Sequence, residues 1–372
     1  MFICVIKKLS QIDGVIDYSI ILRKVLILVD KAYFEKENFV KEDIFIGAEA
    51  KTGNAPDAFH ICFNIDKKYF RQMGVMVTSI LKNNIDKNFV FHTFIDEYPS
   101  EETARIQKIA QEFKQDFWFH VLDTDKFSDF PNVREGMSYV AYFRIYMPKV
   151  MKNFTNRYLY TDVDMLCLGS LAYLEKLDFQ NHPVAVVEDL PQTAEPQLKI
   201  LKMQNNRYFN SGMMYVNIEE WEKRAITEKC FEILWQVKEP FFYVDQDVLN
   251  LTIDGDVVFL PDRYNYLPDI SKELWEIEGK EPADLVIYHF IGGRKPWDFC
   301  LGQYDRLWRS YCAQSLWECP TDPILAREPK NYQKYRHAAK YFFHKGKYYE
   351  ASKCFWFYIN LKIKKYCLRT SI

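Results

Sequence analysis

The chain has 372 residues, a formal net charge of −2, and is 48% hydrophobic and 17% aromatic. A chain this long can bury a large core, in one big or two smaller domains. Its near-neutral charge gives no electrostatic footprint for a nucleic-acid partner, and nine cysteines without a Cys-x-x-Cys pair exclude a disulfide framework and a zinc site. Reduced thiols fit the cytoplasm. No signal peptide is expected, since the apolar start has no basic segment before it, and no apolar run approaches the ~18 residues of a spanning helix. Residues 1–57 read as an N-terminal extension, with a β-rich run at 24–30, a polar stretch at 49–57 and no evident chemistry. From residue 58 the pattern becomes regular. Strands are predicted at 60–65, 89–95, 117–122, 157–161 and 183–187, with helices at 67–82, from Ser100 onward, and at 137–150. Almost continuously apolar strands alternating with helices predict an α/β fold, a mainly parallel sheet with helices on both faces.

In such sheets ligands bind beyond the carboxyl ends of the strands, where Asp66, Asp162 and Glu188 fall. The stretch Arg157-Tyr-Leu-Tyr-Thr-Asp162-Val-Asp164 closes an apolar strand with two carboxylates. Successive strand side chains alternate faces, so the two acids point the same way. Aligned carboxylates repel unless a cation or a proton lies between them, and Mg²⁺ and Mn²⁺ prefer oxygen ligands. The pair therefore reads as a metal site that holds a phosphate. The pattern alone does not single it out: Asp-x-Asp recurs at Asp123/Asp125, Asp245/Asp247 and Asp254/Asp256, and the first of these also follows an apolar strand.

Further along, Tyr208-Phe-Asn210-Ser211-Gly212 is a polar turn opening an apolar strand, with small residues that let a ligand approach the backbone. A long helix is predicted at 219–237. Asp245-Gln246-Asp247 then heads a short helix, which as a bland reading is an N-cap. An apolar strand at 285–289 delivers His289 into Gly292-Gly293-Arg294-Lys295. The glycines free backbone N–H groups for a ligand, and Lys295 is a compact charge suited to phosphate. With two carboxylates needing a cation, His289 reads as a third ligand. From residue 329 the chain is helical in pattern and basic. Lysines and arginines from Lys330 to Arg369 face the single acid Glu350, with aromatic residues between them. That composition suits a helix lying on an anionic membrane surface.

Taken together, Phe63-Asn64-Ile-Asp66-Lys-Lys-Tyr69, Tyr142-Phe-Arg144, Tyr160-Thr-Asp162-Val-Asp164, Tyr208-Phe-Asn210-Ser-Gly212, Asp245-Gln246-Asp247 and His289-Phe-Ile-Gly292-Gly-Arg-Lys295-Pro-Trp297 resemble the motifs of family 8 glycosyltransferases in their order and spacing. Within that family the chain is most similar to the bacterial enzymes that add hexoses to the lipopolysaccharide outer core. The resemblance covers 58–300 and extends into the basic region 301–372, and it selects Asp162/Asp164 over Asp123/Asp125. It implies a GT-A fold, Mn²⁺ or Mg²⁺, and a UDP-hexose donor. It also implies retention at the anomeric carbon and a lipopolysaccharide core acceptor, at the inner face of the cytoplasmic membrane. By the same resemblance Asp162, Asp164 and His289 would hold the metal. Asn64, Asp66 and Tyr69 would lie on the nucleotide side, with Tyr69 against the base. Arg144, Asn210, Gly212, Asp245 and Gln246 would surround the donor sugar, and Gly292 and Lys295 the diphosphate. Either Glu188 or Asp189 would be the sugar-binding acid. The chain departs from the commoner pattern at Phe290, where Tyr is frequent, and at Asn64, where a small residue is frequent. The donor site would be the same for another glycan or glycolipid acceptor, or for a nucleotide-sugar hydrolase.

Overall fold

The computed structural model describes residues 31–48, 58–131, 139–237, 239, 241–320 and 327–369. The β-rich run expected at 24–30, the polar stretch at 49–57 and the first two residues of the helix expected from 137 lie outside them. An eight-stranded sheet forms the centre, in the order β1-β4-β3-β2-β5-β8-β7-β9. The strands are β1 (Val40–Ile46), β2 (Phe59–Ile65), β3 (Phe89–Ile95), β4 (Asp116–Leu122), β5 (Arg157–Thr161), β7 (Val184–Glu188), β8 (Phe209–Asn217) and β9 (Val258–Phe259). A separate two-stranded sheet joins β6 (Met165–Cys167) to β10 (Ile287–His289). Strands β4, β3, β2 and β5 are mutually parallel, while β8 runs against both β5 and β7. Only β1 and β8 oppose the common direction, so the expected mainly parallel α/β sheet is present. β1 was not anticipated: it comes from the expected N-terminal extension and pairs antiparallel along the edge of β4.

Alternation along each strand builds two cores, one on each face. Ile61, Phe63 and Leu159 face the layer that holds helices Phe70–Asn83 and Thr103–Phe113. Cys62, Tyr158 and Tyr160 face the layer of helices Phe143–Met151, Ile226–Gln236 and Asp245–Ile253. Much of the aromatic content goes into these layers, where each large ring buries a large apolar area. Across β2, β3 and β4 runs a buried row of histidines. His60 Nδ1 lies 3.0 Å from His92 Nε2, and His92 Nδ1 lies 3.0 Å from His120 Nε2. His120 Nδ1 ends the row 2.6 Å from Asp43 Oδ1 on β1.

The predicted helix 219–237 is two helices, Ile218–Lys223 and Ile226–Gln236, with Ala225 left-handed between them. Arg224 at the break reaches Asp256 (2.7 Å) and the Asn181 carbonyl (2.8 Å), contacts distant in sequence that local periodicity cannot report. At the C-terminal side, helices Tyr332–His344 and Tyr348–Arg369 pack on each other around Tyr335, Ala338, Tyr341, Cys354 and Leu361. Phe343, Tyr348, Tyr349, Phe355, Trp356, Ile363 and Tyr366 stay exposed on this pair. Among the described residues no helix is long and apolar enough to cross a membrane.

Candidate functional site

The carboxyl end of β5 turns directly into the first cluster. Asp162 follows the strand, and its backbone N–H donates to the Gly212 carbonyl on β8 at 2.7 Å. Val163 turns into the core, so Asp162 and Asp164 share the opposite side. Pairing of β6 with β10 places His289 opposite Met165, next to Asp164. One ligand atom from each of Asp162, Asp164 and His289 falls within a mutual 4.8 Å. His289 Nε2 lies 3.2 Å from Asp164 Oδ1 and 3.9 Å from Asp162 Oδ2. Gly212 makes this approach possible: a Cβ there would meet His289 Cε1 at 2.5 Å and Asp162 Oδ2 at 2.9 Å.

Two cations flank the cluster. Lys295 Nζ is 2.5 Å from Asp164 Oδ2, and Arg144 Nη2 is 3.0 Å from Asp162 Oδ1. Burial works to raise the Asp164 pKa, but Lys295 and His289 hold it well below the usual carboxylate range. Asp164 is therefore ionised. Two carboxylates and an imidazole form a mixed oxygen and nitrogen donor set that fits a divalent cation such as Mn²⁺ or Mg²⁺.

Behind the cluster lies a buried polar network. Arg144 donates to the Ser211 carbonyl (2.9 Å), and its Nε lies 3.2 Å from Asp245 Oδ2. Burial and the nearby Asp162 charge push Asp245 up to about 6, against the pull of Arg144. Ser211 Oγ donates to Asp245 Oδ2 (2.9 Å), and the Ser211 N–H donates to Gln246 Oε1 (3.0 Å). Gln246 Nε2 and Asn210 Nδ2 both donate to Asp189 Oδ2, at 2.8 and 3.0 Å. Asp247 is anchored apart from this network. It accepts from the Tyr208 hydroxyl (2.5 Å) and the Tyr243 N–H (2.9 Å), and so holds the turn in which Val244 has φ +48°. Neither aspartate is the helix cap expected: Val244 occupies that position without a side-chain cap, and both acids lie in the first turn, where Asp247 accepts from the Tyr243 N–H and Asp245 faces Arg144.

The structure separates the two candidate acids at the end of β7. Asp189 is buried in the network, whereas Glu188 is exposed and paired with Arg207 at 2.7 Å. Asn64, Asp66, Tyr69, Arg144, Asp162, Asp164 and Lys295 line one cavity of 290 Å³, together with Val140 and Trp297. Asp66 accepts from the Lys68 N–H at 2.8 Å and so caps the short turn that presents Tyr69. Tyr69 is 40% exposed and stands edge-to-face with Trp297 at 6.5 Å. Asn64 Nδ2 donates to the Val140 carbonyl at 2.6 Å, and the Tyr160 hydroxyl lies between Asn64 Oδ1 and Asp162 Oδ1. Gly292 adopts φ +70°, a conformation that favours glycine, and sits outside this lining, near Ile270. Asn265 is a network residue that sequence reasoning did not find. It is fully buried and contacts both His289 and Asn210. No motif marks it, because it follows a short turn, Asp262–Tyr264, rather than a strand end.

Comparison with known proteins gives a consistent result. The chain is 28% identical over 332 residues to a lipopolysaccharide 1,3-galactosyltransferase of Salmonella typhimurium, covering 86% of this chain and 95% of that protein. It is 29% identical over 251 residues to a lipopolysaccharide 1,2-glucosyltransferase of Escherichia coli, covering 66% and 74%. The galactosyltransferase LgtC, solved with donor and acceptor sugar analogues, superposes with a TM-score of 0.57 at 19% identity, covering 70% of this chain and 97% of that one. The bifunctional glycosyltransferase WbbM superposes at 0.61 with 18% identity, covering 73% and 52%. At these identities the structural likeness speaks for the GT-A fold. The family description "Glycosyl transferase family 8" matches residues 60–300, well over half of the sequence, and the chain belongs to that family.

Proposed function

We propose that the chain is a retaining hexosyltransferase that moves glucose or galactose from a UDP-sugar to a lipopolysaccharide core oligosaccharide. It would work at the cytoplasmic face of the membrane with Mn²⁺ or Mg²⁺ bound. The observation that carries this reading is the Asp162, Asp164 and His289 cluster with Lys295 beside it, at the edge of a cavity lined by Asp66 and Tyr69. The names of the Salmonella and Escherichia relatives support the acceptor class. In this reading residues 58–300 form the catalytic domain, and 301–372 bring it to the membrane surface.

Asp162, Asp164 and His289 would hold the cation, which when bound supplies Lewis-acid stabilisation to the leaving diphosphate. Lys295 adds a fixed positive charge where negative charge develops as the glycosidic bond breaks. Asn64, Asp66 and Tyr69 would bind the nucleoside, with the Tyr69 ring against the base. Gly292 would let the backbone approach the diphosphate. Arg144, Asn210 and Asp189 would orient the sugar, and Asp245 and Gln246 would face its developing positive charge. Both ends of the Gln246 amide are engaged, so its orientation is set before substrate arrives. We favour front-face attack, in which the departing phosphate takes the proton of the acceptor hydroxyl.

The test is UDP release by the purified chain with UDP-glucose or UDP-galactose, with and without truncated lipopolysaccharide core, in Mn²⁺ and in chelator. Release that needs both acceptor and metal supports the proposal. Equal release without acceptor would replace it with a hydrolase, and release only with a different glycan or glycolipid would replace the acceptor.

A further inference from the structure

The buried amide network has a polarity, and the backbone sets it. A backbone N–H can only donate. The Gly212 N–H donates to Asn210 Oδ1 (3.0 Å), and the Ser211 N–H donates to Gln246 Oε1 (3.0 Å). Each contact fixes which end of the side-chain amide is oxygen. Asn210 must then turn its Nδ2 to Asp189, as must Gln246 its Nε2, and a carboxylate that accepts from both agrees with this assignment. Asn210 Oδ1 is also an acceptor toward Asn265, so Asn265 presents its Nδ2 there, at 2.9 Å. That leaves Asn265 Oδ1 facing His289 Nδ1 at 3.0 Å, and an amide oxygen can only accept. His289 Nδ1 therefore carries a proton. Nε2, the nitrogen nearer both aspartates, is the one that can give a lone pair to a cation.

We infer that Asn265 is a positioning residue that locks the His289 tautomer at the metal cluster and, through Asn210, joins that cluster to Asp189 and Gln246. The residues on either side of it, Arg263 and Tyr266, are hydrogen-bonded to the chain at β10. The Val286 N–H donates to the Arg263 carbonyl (2.9 Å), and the His289 N–H donates to the Tyr266 carbonyl (3.1 Å). The side chain is 0% exposed, so it has no freedom to turn away. The inference rests on the proposal that Asp162, Asp164 and His289 hold a cation. It adds that ligand geometry and sugar-side geometry are set by one residue.

The experiment is Mn²⁺ titration of the full chain followed by electron paramagnetic resonance, alongside kcat and KM for UDP-hexose turnover and the melting temperature. Asn265→Ala removes both contacts and should weaken Mn²⁺ binding by about 10- to 100-fold, the usual cost of losing a partner behind a metal-bound histidine. Asn265→Asp keeps an acceptor for the Nδ1 proton but cannot donate to Asn210. It should hold Mn²⁺ close to the wild-type affinity while kcat falls at saturating metal. Asn210→Ala should leave Mn²⁺ affinity unchanged. If wild type binds no Mn²⁺, or Asp162→Ala binds it as well as wild type does, the metal reading falls and takes this inference with it. If Asp162→Ala loses Mn²⁺ but Asn265→Ala binds like wild type, the metal reading stands and the role of Asn265 is overturned. Equal loss of Mn²⁺ and of melting temperature in Asn265→Ala and Asn210→Ala would mean general loosening of the core, and would also overturn it.

Discussion

A Cβ at position 212 would lie 2.5 Å from His289 Cε1 and 2.9 Å from Asp162 Oδ2, closer than side chains tolerate. Gly212→Ala must therefore push one proposed metal ligand away from the other two. We expect Mn²⁺ affinity and transfer each to fall by about tenfold or more with little change in melting temperature; a metal titration with unchanged affinity would remove Gly212 from the site. Asp162→Ala removes a ligand outright and takes from Arg144 one of its two carboxylate partners. Transfer should fall by about a hundredfold or more, as when a group that stabilises developing charge is lost. The pair at the end of β7 offers a sharper contrast. Asp189→Asn would put an NH₂ or a weaker acceptor against the amide donors of Asn210 and Gln246, and should cost about tenfold or more in kcat. Glu188→Gln, which loses an exposed pair with Arg207, should cost little, because such pairs contribute about 0–1 kcal/mol. Comparable losses in both variants would put the acid role on the wrong residue.

The histidine row gives the sheet its own pH dependence. Burial pushes His60 down to about 4, and burial also depresses His92 and His120. Asp43 pulls His120 the other way, and its own pKa is lowered by His120 and Lys36 against the effect of burial. A depressed histidine is neutral when folded and takes up a proton on unfolding. Stability is thus complete above the ordinary value near 6.5 and is lost as pH falls toward 4, by up to about 1.4 kcal/mol per pH unit for each histidine. Thermal melts between pH 7 and 5 should show a steep decline that His60→Gln makes shallower. Identical profiles for the two proteins would exclude the row as its source. This row also shows where sequence reading stops. The apolar runs of β2, β3, β4 and β5 were legible because near-continuous hydrophobicity marks a doubly covered strand. That His60, His92 and His120 stack across three of them depends on register, which sequence pattern alone did not supply. β6 and β9 are too short to carry a period, whereas β10 falls within the apolar run expected to deliver His289. Residue type and strand ends made Asp162, Asp164 and His289 candidates, and the family resemblance chose the first two over Asp123/Asp125. Asn265 and the exclusion of Glu188 from the network depend on which way side chains turn in a loop and at the last residue of β7.

At the scale of the whole molecule, the proposed catalytic cluster lies at one end of the sheet, and the C-terminal helix pair is a separate layer with its own small core. Its inner residues pack with Phe299 and Leu301, and several aromatics lie outside this core. Those outer residues include Tyr349 at 76% exposure, Phe343 at 61% and Trp356 at 59%. Exposed rings at this density among lysines cost solubility, and they are explained if they meet lipid. Aromatic side chains enter the interfacial region, while each lysine near an anionic surface adds about 1 kcal/mol. Lys347, Lys353 and Lys364 are exposed among these rings. Replacing all three with Gln should therefore weaken binding to vesicles containing anionic lipid by about a hundredfold at low salt. Binding of the unaltered chain should itself decline as salt rises. Phe355→Ser with Trp356→Ser should weaken binding without that change in salt dependence, because it removes apolar area and leaves the charge. Donor turnover with a soluble acceptor should be unchanged in both variants, since neither touches the cavity beside Asp162. Vesicle co-sedimentation that is the same for all three proteins would make the helix pair a solvated cap. The acceptor would then have to reach the site without help from this surface.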